Sequence, residues 1–187
     1  MSAMDWLERV DKVIRIERVG KVEAAERQFC TAVRLFFEDD GDAVSVHTLG
    51  WAAHEILDRS IGNDGSLLKG LAREAKDKKA LKQLEEAMRF FKHHQGKGAQ
   101  FKEIKFITNL NEWLLLDCAM MHRDLTGHRL PEGKAISVWM AARFPGVVPL
   151  KNPFPGALEQ LREWGLQRHF YLQYIRRLSY LTPTQRR

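Results

Sequence analysis

The run WLLLDCAMM at residues 113–121 is apolar at every position but one, and it constrains the fold more than any other part of the chain. A helix that is apolar around its whole circumference must be covered by other elements. We therefore expect a central, buried helix that is capped by Thr108 or Asn109 and ends at Gly127. Asp117 is the exception in this run, and its carboxylate needs a partner because an unpaired buried charge is costly.

Three further segments carry apolar residues at steps of three and four, which is the spacing of one helix face. They cover residues 21–38, 43–58 and 81–91, and an acidic cluster separates the first two. Asp42 is the expected N-cap of the second segment, because a carboxylate there can accept backbone N–H groups. We expect these helices to form, with the central one, a helical core over about residues 21–127.

The segments between these helices have weaker patterns. Residues 61–66, IGNDGS, are expected to form a loop, and a basic, loosely patterned stretch follows as far as Lys79. Residues 101–107 alternate apolar and charged side chains, which predicts an extended connection. Gly50 lies in the middle of the second helix, where glycine costs about 1 kcal/mol against alanine, so we expect another helix to pack closely against it.

The part of the chain beyond the core is also expected to be helical. A helix should begin at Pro131, because proline favours the first turn. Four of the six prolines lie in residues 144–155, which predicts a rigid, non-helical strap before a last helix at 157–181. A short helix is expected within residues 1–20. No strand-rich segment or repeat is present, so the sequence predicts one all-α domain over residues 1–187.

Composition limits the classes of function. Hydrophobic side chains make up 44% and charged ones 29% of 187 residues, as in soluble globular domains. No apolar run is long enough to span a membrane, so we expect no membrane partner and a cytoplasmic location, with Cys30 and Cys118 as reduced core residues. The phosphate-binding and dinucleotide glycine motifs are missing from the sequence, and we expect no cofactor.

The positive charge is concentrated in two parts of the chain. Residues 69–105 hold 11 basic and 5 acidic side chains, and residues 162–187 hold 6 and 1, whereas residues 1–68 hold 8 and 13. A basic surface attracts phosphate backbones through the release of counterions. A solvated helix face with a basic tail would show the same charge pattern, and both interpretations remain open.

The motif AMRFFKHHQGKG at residues 87–98 is the first candidate site. Arg89 can hold a phosphate through two parallel hydrogen bonds, and His93 or His94 can transfer a proton near neutral pH. Lys92 and Lys97 add positive charge for binding. The alternative is that these side chains complement the dipole at the end of a helix.

A second candidate is the polar group His47, His54 and Asp117. The two histidines are seven residues apart and point the same way within about twenty degrees on a helix. A buried Asp–His hydrogen bond would satisfy the carboxylate. A metal site built from these residues is the alternative, although no HExxH or paired ExxH pattern is present and we expect no bound metal.

The C-terminal run is the third candidate, because Tyr171, Tyr174 and Tyr180 alternate with arginines. Interleaved aromatic and basic side chains suit single-stranded nucleic acid. An amphipathic helix that is docked on the core, with its arginines in water, has the same pattern.

Three blocks in order, DAVSVHTLGWAAHEIL, RFFKHH and TNLNEWLLLDCAMMHRDLTG, resemble a family of bacterial helical proteins that looks like a branch of the HEPN superfamily. The resemblance implies an up-down bundle of four or five helices that dimerises, here with an added C-terminal helix. Many HEPN members cleave RNA with an arginine followed after four to six residues by a histidine. Carried over, Arg89 would orient phosphate and His94 would be the catalytic histidine, with Phe90 where catalytic members usually have a polar residue.

Three functions follow as hypotheses. The first is a HEPN-like homodimer that binds RNA or a nucleotide, with or without metal-independent RNA cleavage by Arg89 and His94. The second is a non-catalytic module that binds a protein partner, in which His47 and Asp117 are structural. The third is a metal-dependent hydrolase.

Overall fold

A computed structural model describes residues 17–38, 41–62, 65–74, 79–92, 103–144 and 167–181. These residues form seven helices and contain no strand, so the all-α prediction is confirmed for the described part of the chain. The predicted helix within residues 1–20 lies outside it except for residues 17–20, which are not helical; most of the proline-rich strap and the first part of the predicted last helix, residues 157–166, also lie outside it. The helices are α1 Lys21–Phe37, α2 Ala43–Ile61, α3 Leu67–Glu74, α4 Lys79–Lys92, α5 Leu110–Thr126, α6 Pro131–Arg143 and α7 Arg168–Leu181.

Helix α5 is the central element, as its apolar circumference predicts. It packs on α2 and on α6, with additional contact to α1 and α3. Its buried side chains have almost no solvent-accessible surface. Helix α4 packs on α2 and α3, whereas α7 packs on α6 and α1. Helices α4 and α7, which belong to the two basic segments of the sequence, therefore pack on different helices.

Helix α7 is anchored to the core by aromatic packing. Tyr171 is fully buried and stacks on Phe37, with ring centroids 5.1 Å apart and planes 6° apart. Trp139 of α6 meets both rings edge-on, at centroid distances of 5.7 Å from Phe37 and 5.3 Å from Tyr171. Tyr174 is also buried. The docked amphipathic interpretation of this segment is therefore confirmed over Arg168–Leu181, and Tyr171 and Tyr174 are not available for stacking on bases.

Local sequence signals explain most of the helix ends. The Asp42 carboxylate accepts the amides of Val44 and Ser45, each at 3.0 Å, as predicted for an N-cap. Helix α5 ends at Gly127, whose φ of +73° places it in the left-handed region that favours glycine. Asn109 is the N-cap residue of α5, as predicted, but its side chain makes no capping hydrogen bond, and the first amides of α5 bond to backbone carbonyls of the preceding turn.

Two buried glutamates join α6 to its neighbours. Glu132 accepts from the Nε and a terminal nitrogen of Arg34 on α1, at 2.9 and 2.6 Å. Glu112 of α5 lies 2.9 Å from Nε of Arg143. Burial raises the pKa of Glu112, and the Arg143 guanidinium opposes that rise. These pairs fix the position of α6 against α1 and α5.

Both cysteines are free thiols. Cys118 is buried and its Sγ lies 3.5 Å from the carbonyl oxygen of Gly50. Burial raises the pKa of each thiol well above its usual value. In the described part of the chain, no helix has the length and apolar character needed to cross a membrane.

Candidate binding site at the α2–α5 interface and the end of α4

Two buried polar bridges connect α2 to α5. His47 bonds to Asn111, 64 residues away, and His54 bonds to Asp117, 63 residues away. The nearly constant separation means that the two helices run in the same direction. Gly50 lies between the bridges, and a Cβ atom there would be 3.2 Å from Cδ2 of Leu114. The predicted close packing at Gly50 is confirmed, and it brings the helices near enough for both bridges to form.

The Asp117 carboxylate is fully buried and accepts hydrogen bonds from several donors. His54 Nε2 lies 3.0 Å from Oδ2, and the Ser66 hydroxyl donates to the same oxygen at 2.7 Å. The backbone amides of Leu67 and Leu68 donate at 2.7 and 3.3 Å. The predicted Asp–His hydrogen bond is thus confirmed.

Asp117 also has a role that sequence reasoning missed, because it caps a helix other than its own. Leu67 and Leu68 begin α3, where the free amides and the helix dipole favour a negative charge. Residues up to Lys79 were expected to be loosely patterned, yet residues 67–74 are helical. The cap supplied by α5 and by Ser66 explains this difference, since an eight-residue helix is marginal without tertiary support.

His47 is fully buried. The contacts of Asn111 determine which ring nitrogen of His47 carries the hydrogen. Nδ1 of His47 lies 2.9 Å from Oδ1 of Asn111. The Asn111 amide nitrogen donates to the carbonyl oxygen of Ala43 at 2.9 Å, and a carbonyl can only accept, so the amide orientation is fixed. Nδ1 of His47 must therefore be the donor to Asn111.

The two bridges predict different protonation sites for the two imidazoles. Nδ1 carries hydrogen in His47, whereas Nε2 carries it in His54, because the Asp117 carboxylate can only accept. Long-range 1H–15N NMR spectra of histidine-labelled protein should show these two patterns, with averaged signals from the exposed His128 as the internal control. A signal from His47 showing Nδ1 without hydrogen would contradict the assigned orientation of Asn111.

Aromatic rings enclose the two imidazoles. The Trp51 indole lies between them, with ring centroids 6.2 Å from His47 and 5.4 Å from His54. Phe106 and Phe91 present their edges to His47 at 5.0 and 5.9 Å. Nε1 of Trp51 is buried without a hydrogen-bond partner among the described residues. The packing brings His47 and the RFFKHH motif together, since Phe91 belongs to that motif.

The last turn of α4 presents side chains to solvent directly beside this cluster. The Arg89 side chain is 65% exposed, and its only ion pair with a described residue is a 3.9 Å contact to Glu85. Phe90 is one of the few exposed large apolar side chains. Lys92 lies 3.5 Å from Glu55 of α2. His93, His94 and Lys97 lie outside the described residues, so the pairing of Arg89 with His94 stays a prediction.

The geometry favours structural roles for the buried histidines over a shared metal site. His47 and His54 bond to different partners and are separated by the Trp51 ring. Within the described ranges, no group of three histidine, cysteine, aspartate or glutamate side chains is placed to hold a metal ion. His47 and Asp117 belong to two separate bridges, and their role in binding stays a prediction.

Sequence reasoning missed Asn111 and Ser66. The signal for Asn111 was present, because an amide on a helix that must be buried needs a partner as Asp117 does. Ser66 carried no such signal, since its role depends on the folded position of α5.

Comparisons with protein-family models, with curated proteins and with solved structures find no match to this chain.

Proposed function

We propose that this chain is a HEPN-like helical protein that binds RNA through the end of α4, and that its buried histidines support the site without reacting. The observation that carries the proposal is the division of the RFFKHH motif between core and solvent. Phe91 packs on His47, while the neighbouring Arg89 and Phe90 are exposed.

The exposed pair suits a single-stranded RNA. An exposed aromatic ring can stack on a base of any type, and an arginine can hold the adjacent phosphate. The 3.9 Å contact between Arg89 and Glu85 is too long for a strong hydrogen bond, so it competes weakly with a phosphate. The net positive charge of residues 69–105 adds long-range attraction. A mononucleotide could use the same two contacts with lower affinity.

The proposal includes a homodimer in the cytoplasm, as the resemblance to HEPN proteins implies. RNA cleavage is the second candidate function, and the exposure of Arg89 at the helix end favours it. In this candidate Arg89 stabilises charge on phosphorus and His94 moves the proton, with no metal.

The binding test uses a fluorescently labelled 20-nucleotide single-stranded RNA and anisotropy measured at 100 mM KCl. Arg89→Ala and Phe90→Ala should each weaken binding by at least about fivefold, because one stacking contact is worth roughly 1–3 kcal/mol and a lost phosphate contact removes charge attraction. Arg129→Ala and Val19→Ala are matched controls at exposed positions and should change the dissociation constant less than twofold. Unchanged binding by both α4 variants would contradict the proposed site.

Gel analysis of the same RNA after incubation separates the two candidates. Intact RNA with wild-type binding supports the non-catalytic proposal. Cleavage that is lost in Arg89→Ala and in His94→Ala supports the ribonuclease, and cleavage that survives both removes their assigned roles. If wild-type protein binds no RNA, a module that binds a protein partner becomes the better hypothesis.

A further inference from the structure

The outward face of α7 carries a second group of cations, away from α4. Of the residues from Arg168 to Leu178, four have exposed side chains, and all four are basic or polar. They recur at three- and four-residue steps, so they lie on one face of the helix. These residues are His169, Gln173, Arg176 and Arg177.

No negative charge on α7 balances this face. Glu163 is the last acidic residue of the sequence, so α7 and the residues after it contain none. Arg176 and Arg177 form no ion pair with any described residue, unlike Arg34 and Arg143, which bond to buried glutamates. Exposed arginines on a helix that carries no acidic residue attract phosphate groups.

Arg168 of α7 packs against the aromatic core and so differs from the exposed Arg176 and Arg177. Its guanidinium lies over the Phe36 ring, 4.7 Å from the centroid, and 5.9 Å from the ring of Trp139. This arginine is held against the aromatic core by cation–π contacts. Arg176 and Arg177, two turns further along α7, are exposed instead.

The packing of the buried side of α7 indicates which polyanion the helix binds, a membrane surface or a nucleic acid. An amphipathic helix that lies in a membrane surface inserts its apolar face, but Tyr171, Tyr174 and Ile175 of α7 are packed in the core. The same burial removes Tyr171 and Tyr174 as stacking surfaces for bases. The exposed side chains of α7 between Arg168 and Leu178, which are basic or polar, suit contact with phosphates.

We propose that the outward face of α7 binds the phosphate backbone of RNA without reading its sequence. This inference rests on the proposed function and extends it, because it makes the ligand a polymer rather than a mononucleotide. His169 and Arg176 are about 10 Å apart along the helix, so the face spans more than one phosphate. Helix α4 packs on α2 and α3 and helix α7 packs on α6 and α1, so the α7 face is a contact in addition to the end of α4.

The test compares two double variants that remove equal charge, Arg176→Gln/Arg177→Gln on α7 and Arg59→Gln/Arg129→Gln elsewhere. All four arginines are exposed, and circular dichroism verifies that each variant is folded. Binding of a labelled 30-nucleotide single-stranded RNA is measured by anisotropy from 50 to 200 mM KCl.

We expect the α7 variant to bind about tenfold more weakly at 100 mM KCl. The slope of log affinity against log salt should become shallower by about 1.4, the value for two lost phosphate contacts on a single strand. The control variant should lose less than twofold. Wild-type protein should not co-sediment with phosphatidylserine vesicles under these conditions.

Several outcomes would overturn the proposal. Equal losses in the two double variants would show that only net charge matters, and an unchanged slope in the α7 variant would show that this face makes no contact. Vesicle binding as strong as RNA binding would assign the face to membranes. If Arg89→Ala weakens binding and the α7 variant does not, the α7 inference fails while the proposed function stands; the reverse result removes the α4 site alone.

Discussion

Replacing Asp117 with alanine should lower the free energy of unfolding by about 3–5 kcal/mol, because several buried donors lose their acceptor at a cost of about 1–3 kcal/mol each. The substitution leaves the His54 N–H and the Ser66 hydroxyl inside the core without their acceptor. It also removes the cap from the first amides of α3. In a domain of this size such a loss corresponds to a fall in melting temperature of roughly 10 °C.

Urea unfolding followed by circular dichroism measures the loss. Asp117→Asn retains one acceptor oxygen and should lie between wild type and the alanine variant. Asp124→Ala is the matched control, because Asp124 is an exposed carboxylate on the same helix, and it should change the free energy of unfolding by less than about 0.5 kcal/mol.

Hydrogen exchange adds a local measurement of the same substitution. The amides of Leu67 and Leu68 bond to Asp117, and the amide of Lys69 bonds to the Ser66 hydroxyl, so all three should exchange faster in Asp117→Ala. Exchange in α6 should rise only with the global loss of stability. Wild-type protection of α3 in the variant would contradict the capping role.

The second large effect is expected for His47→Ala, at about 2–4 kcal/mol of unfolding free energy. The variant removes a fully buried ring that contacts Trp51 and Phe106, and it leaves the Asn111 carbonyl oxygen without its donor. Both a cavity and an unsatisfied acceptor are destabilising.

Two further variants separate these contributions. His47→Phe keeps the ring volume but loses the hydrogen bond, so it should retain the packing part of the stability. Asn111→Ala removes the other partner, and the double variant His47→Phe/Asn111→Ala should cost less than the sum of the single ones. Additive losses would show that the two residues do not interact.

His47→Ala also links stability to the proposed function. Phe91 contacts His47, and the exposed Arg89 and Phe90 belong to the same turn of α4. We expect RNA binding by His47→Ala to weaken even at temperatures where the variant is fully folded. Unchanged affinity in the folded variant would mean that the buried cluster does not support the α4 surface.

The sequence predicts the helices well because their signals are local. Asp42, Gly127 and Pro131 mark helix boundaries through properties of single residues, and the structure places boundaries there. The burial of α5 is likewise predictable, because an apolar circumference leaves no solvent-facing side. The sequence also indicates that the hydrogen-bond partner of Asp117 is a histidine, because a buried carboxylate needs a donor.

The features that the sequence does not predict all depend on pairs of residues that are distant in the chain. Helix α3 is only eight residues long and is capped by Asp117, about 50 residues later. A docked C-terminal helix is one of the two interpretations of the sequence, but the contact of Tyr171 with Phe37 and Trp139 joins residues that are distant in the chain. Neither relation can be read from local spacing.

Gly50 has no side chain, and this lets α2 and α5 approach closely enough for two polar contacts to form. His47–Asn111 and His54–Asp117 flank the point where α2 meets Leu114, so one interhelical distance determines both. A bulkier residue there would work as a wedge and would loosen both contacts together. In a related protein with a different residue at position 50, the residues at positions 111 and 117 would therefore be expected to differ together.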